Sequence, residues 1–193
     1  LANEEEKALL ERAMWDENGN RTLNTVAQAA PKLAVEAGFS IPDDRKFIIV
    51  EQSEIGPEHR FSGEKLTTLL ALYSWDTFDQ ALDMVRAIFR VGGAGHSCGI
   101  YSFDDDRIDA LARVAPVSRM MVRQPQSKAN GGSFTNGMPM TSSLGCGIWG
   151  GNTTNENISL KHYLNITWVS RPIPEDRPSE QELFGEFYGT ETP

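Results

Sequence analysis

The 193 residues predict an α/β fold of three layers: a largely parallel sheet flanked by helices, with a protruding C-terminal strand. Three observations carry that prediction. Short apolar runs recur along the chain, segments of helical period lie between them, and most connections are short. With 39% hydrophobic and 23% charged residues the composition is globular, and the length suits one substantial core rather than two full domains.

Asn3 is placed to cap a first helix reaching about Trp15, with Glu4, Glu5 and Glu6 at its positive end. DENGN (16–20) is a turn cluster. A second helical stretch covers about residues 24–37 and stops at Gly38; Pro31 inside it means that the helix starts late or kinks. FIIVE (47–51) and LLALYSW (69–75) read as buried strands separated by a polar, glycine-containing segment. Phe78, Leu82, Val85, Ile88 and Phe89 then recur at helical spacing. CGIYS (98–102) reads as a strand, FDDDRIDALARV (103–114) as a helix with an acidic first turn, and SRMMVR (118–123) as a strand.

Residues 124–157 are rich in Gly, Asn, Ser and Thr and exceed an ordinary connection. Phe134, Met138, Met140, Leu144, Ile148 and Trp149 predict that this loop is ordered by apolar burial. HYLNITWVS (162–170) alternates with period two and reads as a final strand, followed by the Pro-rich RPIPEDRP and then EQELFGEFYG. The expected organisation is an α/β domain over 1–157, a late strand over 158–170 and a Pro-rich tail over 171–193, without internal repeats.

The net charge of -9, with no Lys/Arg cluster, argues against a nucleic-acid surface. No apolar run is long enough to span a bilayer, and the acidic start LANEEEKALLERAMW is unlike a signal peptide. The absence of an initial Met fits an excised piece of a longer protein. Two cysteines make no disulfide scaffold, so a reducing cytoplasm is the expected location.

VGGAGHS (91–97) follows a helix and precedes a strand, the reverse of a dinucleotide-binding fingerprint; a helix cap with a tight turn explains it better. His96 either donates to a developing oxyanion or relays protons, or is a structural histidine. His59 and His162 read as unspecialised. Cys98 and Cys146 are weak candidates as nucleophiles, because neither has an activating base nearby in sequence. No metal-ligand spacing is present. Glu64, just before a strand, either binds ribose hydroxyls or is a solvated loop charge.

Taken together and in order, AAPKLAVEAGFSIP, GEKLTTLLALY, GGAGHSCGIYS and the long block from NGGSFTNGMPM through HYLNITWVS resemble the C-terminal catalytic part of the CoA-acylating aldehyde dehydrogenases. That family includes acylating sulfoacetaldehyde dehydrogenases and the aldehyde-dehydrogenase half of aldehyde–alcohol dehydrogenases. The resemblance runs over about residues 1–170 and implies an oxidoreductase with the family's three-layer catalytic fold. In such enzymes a cysteine thiol takes up the aldehyde, hydride leaves to NAD or NADP, and the resulting thioester is transferred to coenzyme A. The nucleophilic cysteine and the nucleotide-binding domain are then expected upstream of Leu1, so that this chain alone is inactive.

By the same resemblance, Glu64 contacts the nicotinamide ribose and Leu66 lies beside the nicotinamide. His96 is placed at the active site, Cys98 and Cys146 are not the nucleophile, and Thr141 to Leu144 with Trp149 flank the aldehyde entrance. The late strand implies subunit contacts, in a homodimer or higher assembly. Arg123 and Lys128 flank the irregular loop; they either hold an anionic short-chain aldehyde such as sulfoacetaldehyde or are solvated cations. A hydrolytic aldehyde dehydrogenase and a non-catalytic oligomerisation domain are the rival readings. No metal and no membrane enter any of them.

Overall fold

A computed structural model describes residues 1–187 of the chain. Helix α1 (Glu4–Met14) starts on a reciprocal cap: Asn3 Oδ1 accepts from the Glu6 N–H, and Glu6 accepts from the Asn3 N–H, both at 2.9 Å. α2 (Ala30–Glu36) starts late with Pro31 in its first turn, where a missing N–H costs nothing, and the chain leaves it through Gly38 at φ 92°. β1 (Ile48–Glu51) pairs in parallel with β2 (Leu69–Leu72), Ile48 opposite Leu69. α3 (Phe78–Gly92) leads to β3 (Cys98–Ile100), and α4 (Asp105–Val114) returns the chain to β4 (Met120–Val122), parallel to β3. A single-turn helix, α5 (Gln126–Ala129), opens the long irregular segment.

The architecture is α/β with parallel strands, and β3–α4–β4 is a complete βαβ crossover. One expectation is corrected. The strands form two separate two-stranded sheets, β1–β2 and β3–β4, rather than one continuous sheet. Strands of three or four residues offer few ladder bonds, so each pair is held by the helices packed on it. Around β1–β2, α1 and α2 bury Leu10, Met14, Leu33, Val50 and Leu69, with Phe61 edge-on to Trp15 at 5.2 Å. Around β3–β4, α3 and α4 bury Leu82, Leu111 and Ala115 against Val85, Phe89, Ile100 and Met120.

The chain divides into two compact units, Leu1–Ser159 and one beginning at Leu160. In the second unit, a 3-10 turn spans Leu160–Tyr163 and α6 (Glu180–Phe184) is capped by Ser179. Residues 164–170 form no strand, contrary to the alternation of HYLNITWVS. A period-two pattern forms a ladder only against a partner, and Tyr163, Leu164, Ile166, Trp168 and Val169 are instead exposed. Among the described residues no helix is long and apolar enough to cross a membrane.

Leu33, fully buried between α2 and the β1–β2 layer, and Leu70, 51% exposed on the other face of β2, separate core from surface. Leu33→Ala is expected to lower the unfolding free energy by about 2–5 kcal/mol. Leu70→Ala should change it by less than about 0.5 kcal/mol. Urea titrations of both variants check this; equal losses would contradict the layer assignment.

Candidate active site

The His96 loop is built from glycine contacts. Gly93 ends α3 with its N–H bonded to Phe89 O and φ at 90°, and the Gly95 N–H bonds to Pro116 O at 2.7 Å. A side chain at Gly95 would stand 3.0 Å from Cys146 Cβ and from the Gly150 backbone, so only glycine lets this loop meet the segment around residues 146–150. The segment VGGAGHS is thus a helix cap and a close loop–loop contact, not a phosphate cradle.

His96 follows at φ 29°, an unusual conformation for a residue with a side chain, and is exposed. Among the described residues four non-glycine residues have positive φ, and three of them are Leu66, His96 and Arg123, all named above as candidates. His96 Nδ1 lies 2.7 Å from Ser97 Oγ. Gln126 Nε2 donates to Ser97 O and Oγ, both at 2.9 Å, and Asn130 Nδ2 donates to Ser97 Oγ at 3.0 Å. α5 therefore serves to hold the histidine loop.

Behind this cluster lies a residue that the sequence did not reveal. Arg119, 5% exposed, donates through Nε to Asn157 Oδ1 at 2.7 Å, through Nη1 to Gly145 O at 2.7 Å and through Nη2 to Asn155 O at 3.2 Å. Asn157, equally buried, donates through Nδ2 to Asn130 O and Pro139 O. Residues 144–157 double back on themselves between an isolated Leu144–Asn157 bridge and a 3-10 turn at Ile148–Gly150. Burial pulls the Arg119 guanidinium below its ordinary value, an effect partly opposed by the nearby Cys146 sulfur. The loop is ordered mainly by polar bonds: of the six apolar residues expected to order it, Phe134, Met140, Ile148 and Trp149 are exposed, and Met138 and Leu144 are partly buried.

Glu64 and Leu66 lie on the loop entering β2. Glu64 is exposed and makes no hydrogen bond or ion pair among the described residues. Leu66, at φ 51° and about half exposed, is pinned through its carbonyl, which accepts from the Ala27 N–H at 2.8 Å. No hydrogen bond or ion pair among the described residues joins this loop to His96.

No family model matches the chain. A sulfoacetaldehyde dehydrogenase from Acholeplasma sp is 40% identical over 186 residues, which is 94% of this chain and 38% of the relative. An acetylating succinate-semialdehyde dehydrogenase from Clostridium kluyveri is 33% identical over 175 residues, 90% of this chain and 38% of the relative. Among solved structures, an acetylating aldehyde dehydrogenase from Geobacillus thermoglucosidasius matches with a TM-score of 0.79 at 30% identity, over 90% of this chain and 39% of that one. Over 90% or more of its length the chain is similar to one segment of acylating aldehyde dehydrogenases. It spans about two fifths of the length of the curated relatives it matches.

Other positions that resemblance to the family singled out are dispersed. Thr141 Oγ1 bonds to its own turn at Ser143, Leu144 is half-buried at the bridge, and Trp149 is 57% exposed on the 3-10 turn. Arg123 follows β4, at the opposite end of the β3–β4 pair from His96, roughly 15 Å along the strand direction. Its Nη1 bonds to Ser102 O at 2.6 Å, and its guanidinium lies 4.7 Å from the Phe103 ring centroid. Cys98 sits half-buried in β3, where burial pushes its thiol up and leaves less thiolate. His59 lies 3.3 Å from both Glu54 and Glu58. Among the described residues, no group of three or more His, Cys, Asp or Glu side chains is placed to hold a metal ion.

Ser97 and Gln126 carry polar side chains like any others in the sequence, and only the neighbouring His96 marks the first. Arg119 and Asn157 are 38 residues apart, and nothing in periodicity signals their pairing. Replacing Asn157 by Leu leaves the Arg119 Nε–H without its acceptor and two carbonyls without their donor. The expected loss is about 3 kcal/mol of stability, with trypsin or thermolysin cutting first within residues 131–157; unchanged protection of that segment would contradict the assigned role.

Proposed function

We propose that this chain supplies the substrate-side wall of a CoA-acylating aldehyde dehydrogenase, in which an aldehyde is oxidised and its acyl group passed to coenzyme A. One observation carries this reading: His96 is held exposed, on strained backbone, between two glycine loops of a fold that follows an acetylating aldehyde dehydrogenase. An imidazole can assist acyl transfer either as a hydrogen-bond donor to the acyl oxygen or as a proton acceptor from the incoming thiol.

The residues present fit the nicotinamide end of NAD or NADP. Glu64 is an exposed carboxylate that feels the neighbouring Lys65 ammonium but makes no hydrogen bond among the described residues, so it is able to accept from two ribose hydroxyls, and Leu66 near it offers an apolar surface. The cofactor, when bound, takes up hydride from the aldehyde carbon. Phosphate binding and the attacking thiol are assigned to the part of such an enzyme that this chain, at about two fifths of its relatives' length, does not include. Cys98 is disfavoured as the thiol by its burial in a strand.

For substrate class we propose a short aldehyde bearing a second, anionic group. The support is that two relatives are named for sulfoacetaldehyde and succinate semialdehyde, which share that feature. Arg123 is left out of the proposal because it is engaged at the far end of β3–β4.

A chimera in which this chain replaces the matching segment of the Acholeplasma enzyme tests the reading. It should form acyl-CoA from sulfoacetaldehyde only when coenzyme A and NAD or NADP are present. The kcat/KM for sulfoacetaldehyde should exceed that for acetaldehyde by about 10- to 100-fold, the worth of one charge-assisted contact. Free acid made without coenzyme A would favour the hydrolytic alternative, and equal kcat/KM would discard the anionic substrate.

Self-association is the second part of the proposal. Tyr163, Leu164, Ile166, Trp168 and Val169 form an exposed apolar run with strand-like alternation and no ladder partner within the described residues. We assign it to pairing with a second copy. The 193-residue chain is expected to sediment as a dimer or larger assembly, and a chain ending at residue 159 as a monomer; a monomeric full chain would contradict the assignment.

A further inference from the structure

We infer that Ser97 is a positioning residue that fixes His96 as the tautomer with its proton on Nε2, so that His96 acts as a hydrogen-bond donor rather than as a base. The inference deepens the acyl-transfer reading and rests on it for the donor's role, though not for the tautomer.

A serine hydroxyl has one hydrogen and two lone pairs. Ser97 Oγ receives N–H groups from Gln126 Nε2 at 2.9 Å and Asn130 Nδ2 at 3.0 Å. The Gln126 amide orientation is set independently, because the same Nε2 also donates to the Ser97 carbonyl, which can only accept. Asn130 is 6% exposed and anchored through its backbone carbonyl, which accepts from Asn157; Asn157 is oriented by Arg119. With the Asn130 amide in its donor orientation both lone pairs are taken, and the remaining direction for the Ser97 hydrogen is His96 Nδ1, 2.7 Å away. Nδ1 is therefore an acceptor, and in the uncharged ring the proton sits on Nε2.

The consequence is a choice between the two roles left open above. An imidazole whose Nδ1 is engaged as an acceptor cannot use that nitrogen as a base, and its Nε2 already carries a proton. What it offers is an N–H aimed by a rigid set of bonds, suited to an acyl oxygen that gains negative charge as a thiol adds to its carbon. No proton leaves the ring in this role. The network Arg119–Asn157–Asn130–Ser97 then has a use beyond holding a loop: it fixes the direction of one N–H.

The chain has three histidines, which makes the test direct. In 15N-histidine-labelled full-length chain, at a pH one to two units above the ordinary imidazole value of about 6.5, long-range 1H–15N correlations report which nitrogen is protonated. His96→Gln identifies the resonances, and His59 and His162 serve as internal references. The expected wild-type spectrum shows an unprotonated Nδ1 and a protonated Nε2 for His96. Ser97→Ala should shift both nitrogens toward averaged values, and Ser97→Thr, which restores the hydroxyl, should reverse the shift.

A protonated Nδ1 in the wild type overturns the inference without any variant, so it stays testable even if Ser97→Ala fails to fold. So does a Ser97→Ala spectrum identical to wild type. In the chimera, Ser97→Ala should lower kcat for acyl-CoA formation about tenfold with KM for the aldehyde unchanged, and Ser97→Thr should restore it. A changed tautomer with unchanged kcat overturns the positioning role. A chimera that makes no acyl-CoA at all overturns the functional reading instead, while the spectra still decide the tautomer.

Discussion

A guanidinium buried among neutral acceptors is the constraint on which the His96 region depends. Removing a cation from water is tolerated only when its donors are satisfied. Arg119 satisfies Nε, Nη1 and Nη2 with one side-chain amide oxygen and two backbone carbonyls, all from residues 145–157. Those bonds stop an otherwise irregular segment from drifting, because loosening it would strand a buried charge. The same segment supplies Cys146 and Gly150, the surface against which Gly95 packs with no room for a Cβ. The strained backbone at His96 is therefore held from two sides, by a glycine contact and by hydrogen bonds to Ser97.

This arrangement explains how so polar a loop is ordered at all. Most of its large apolar residues remain in solvent, with only Met138 and Leu144 partly buried, so the ordering comes mainly from amides and one arginine. Polar networks of this kind are unforgiving: complete, they fix one geometry, and incomplete, they destabilise it. A donor or acceptor aimed at a reacting atom benefits from such rigidity more than stability does, since angular precision is what transition-state contacts require.

Most of the secondary structure was legible because each element is specified locally. Asn3 with Glu6 and Asp104 before two acids mark helix starts by bonds that form within three residues, and Pro31 and Gly38 mark the ends of α2 by their backbone conformations. The strand cores at 48–51, 69–72, 98–100 and 120–122 were marked by short apolar runs. What failed was everything decided at a distance. Which strands share a sheet depends on helix packing, and whether residues 164–170 become a strand depends on a partner that alternation cannot supply. His96, Glu64 and Leu66 received their proposed roles by resemblance, because local pattern left His96 and Glu64 between a functional and a structural reading and did not mark Leu66. Arg119 was invisible because an arginine after a turn ordinarily faces water, and only its partners 26 to 38 residues away bring it inside.

The two cationic side chains first considered as anion receptors illustrate the same limit. Arg123 and Lys128 flank one loop in sequence, yet chain proximity does not make a binding site. Arg123 leaves β4 on a left-handed residue that turns its guanidinium onto Phe103 and Ser102. Lys128 lies two positions after Gln126 on α5, and residues two apart on a helix do not face each other, so a Gln126 facing Ser97 directs Lys128 elsewhere. Arg123 therefore does not share the His96 surface, and Lys128 is on a different face of α5 from Gln126. Under the proposed reading, selectivity for an anionic aldehyde is assigned to oriented N–H and hydroxyl groups or to residues outside this segment. Oriented dipoles of that sort are what a loop ordered by hydrogen bonds can provide, and a salt-insensitive preference for sulfoacetaldehyde would be their signature, since a fixed dipole is screened less than an exposed cation.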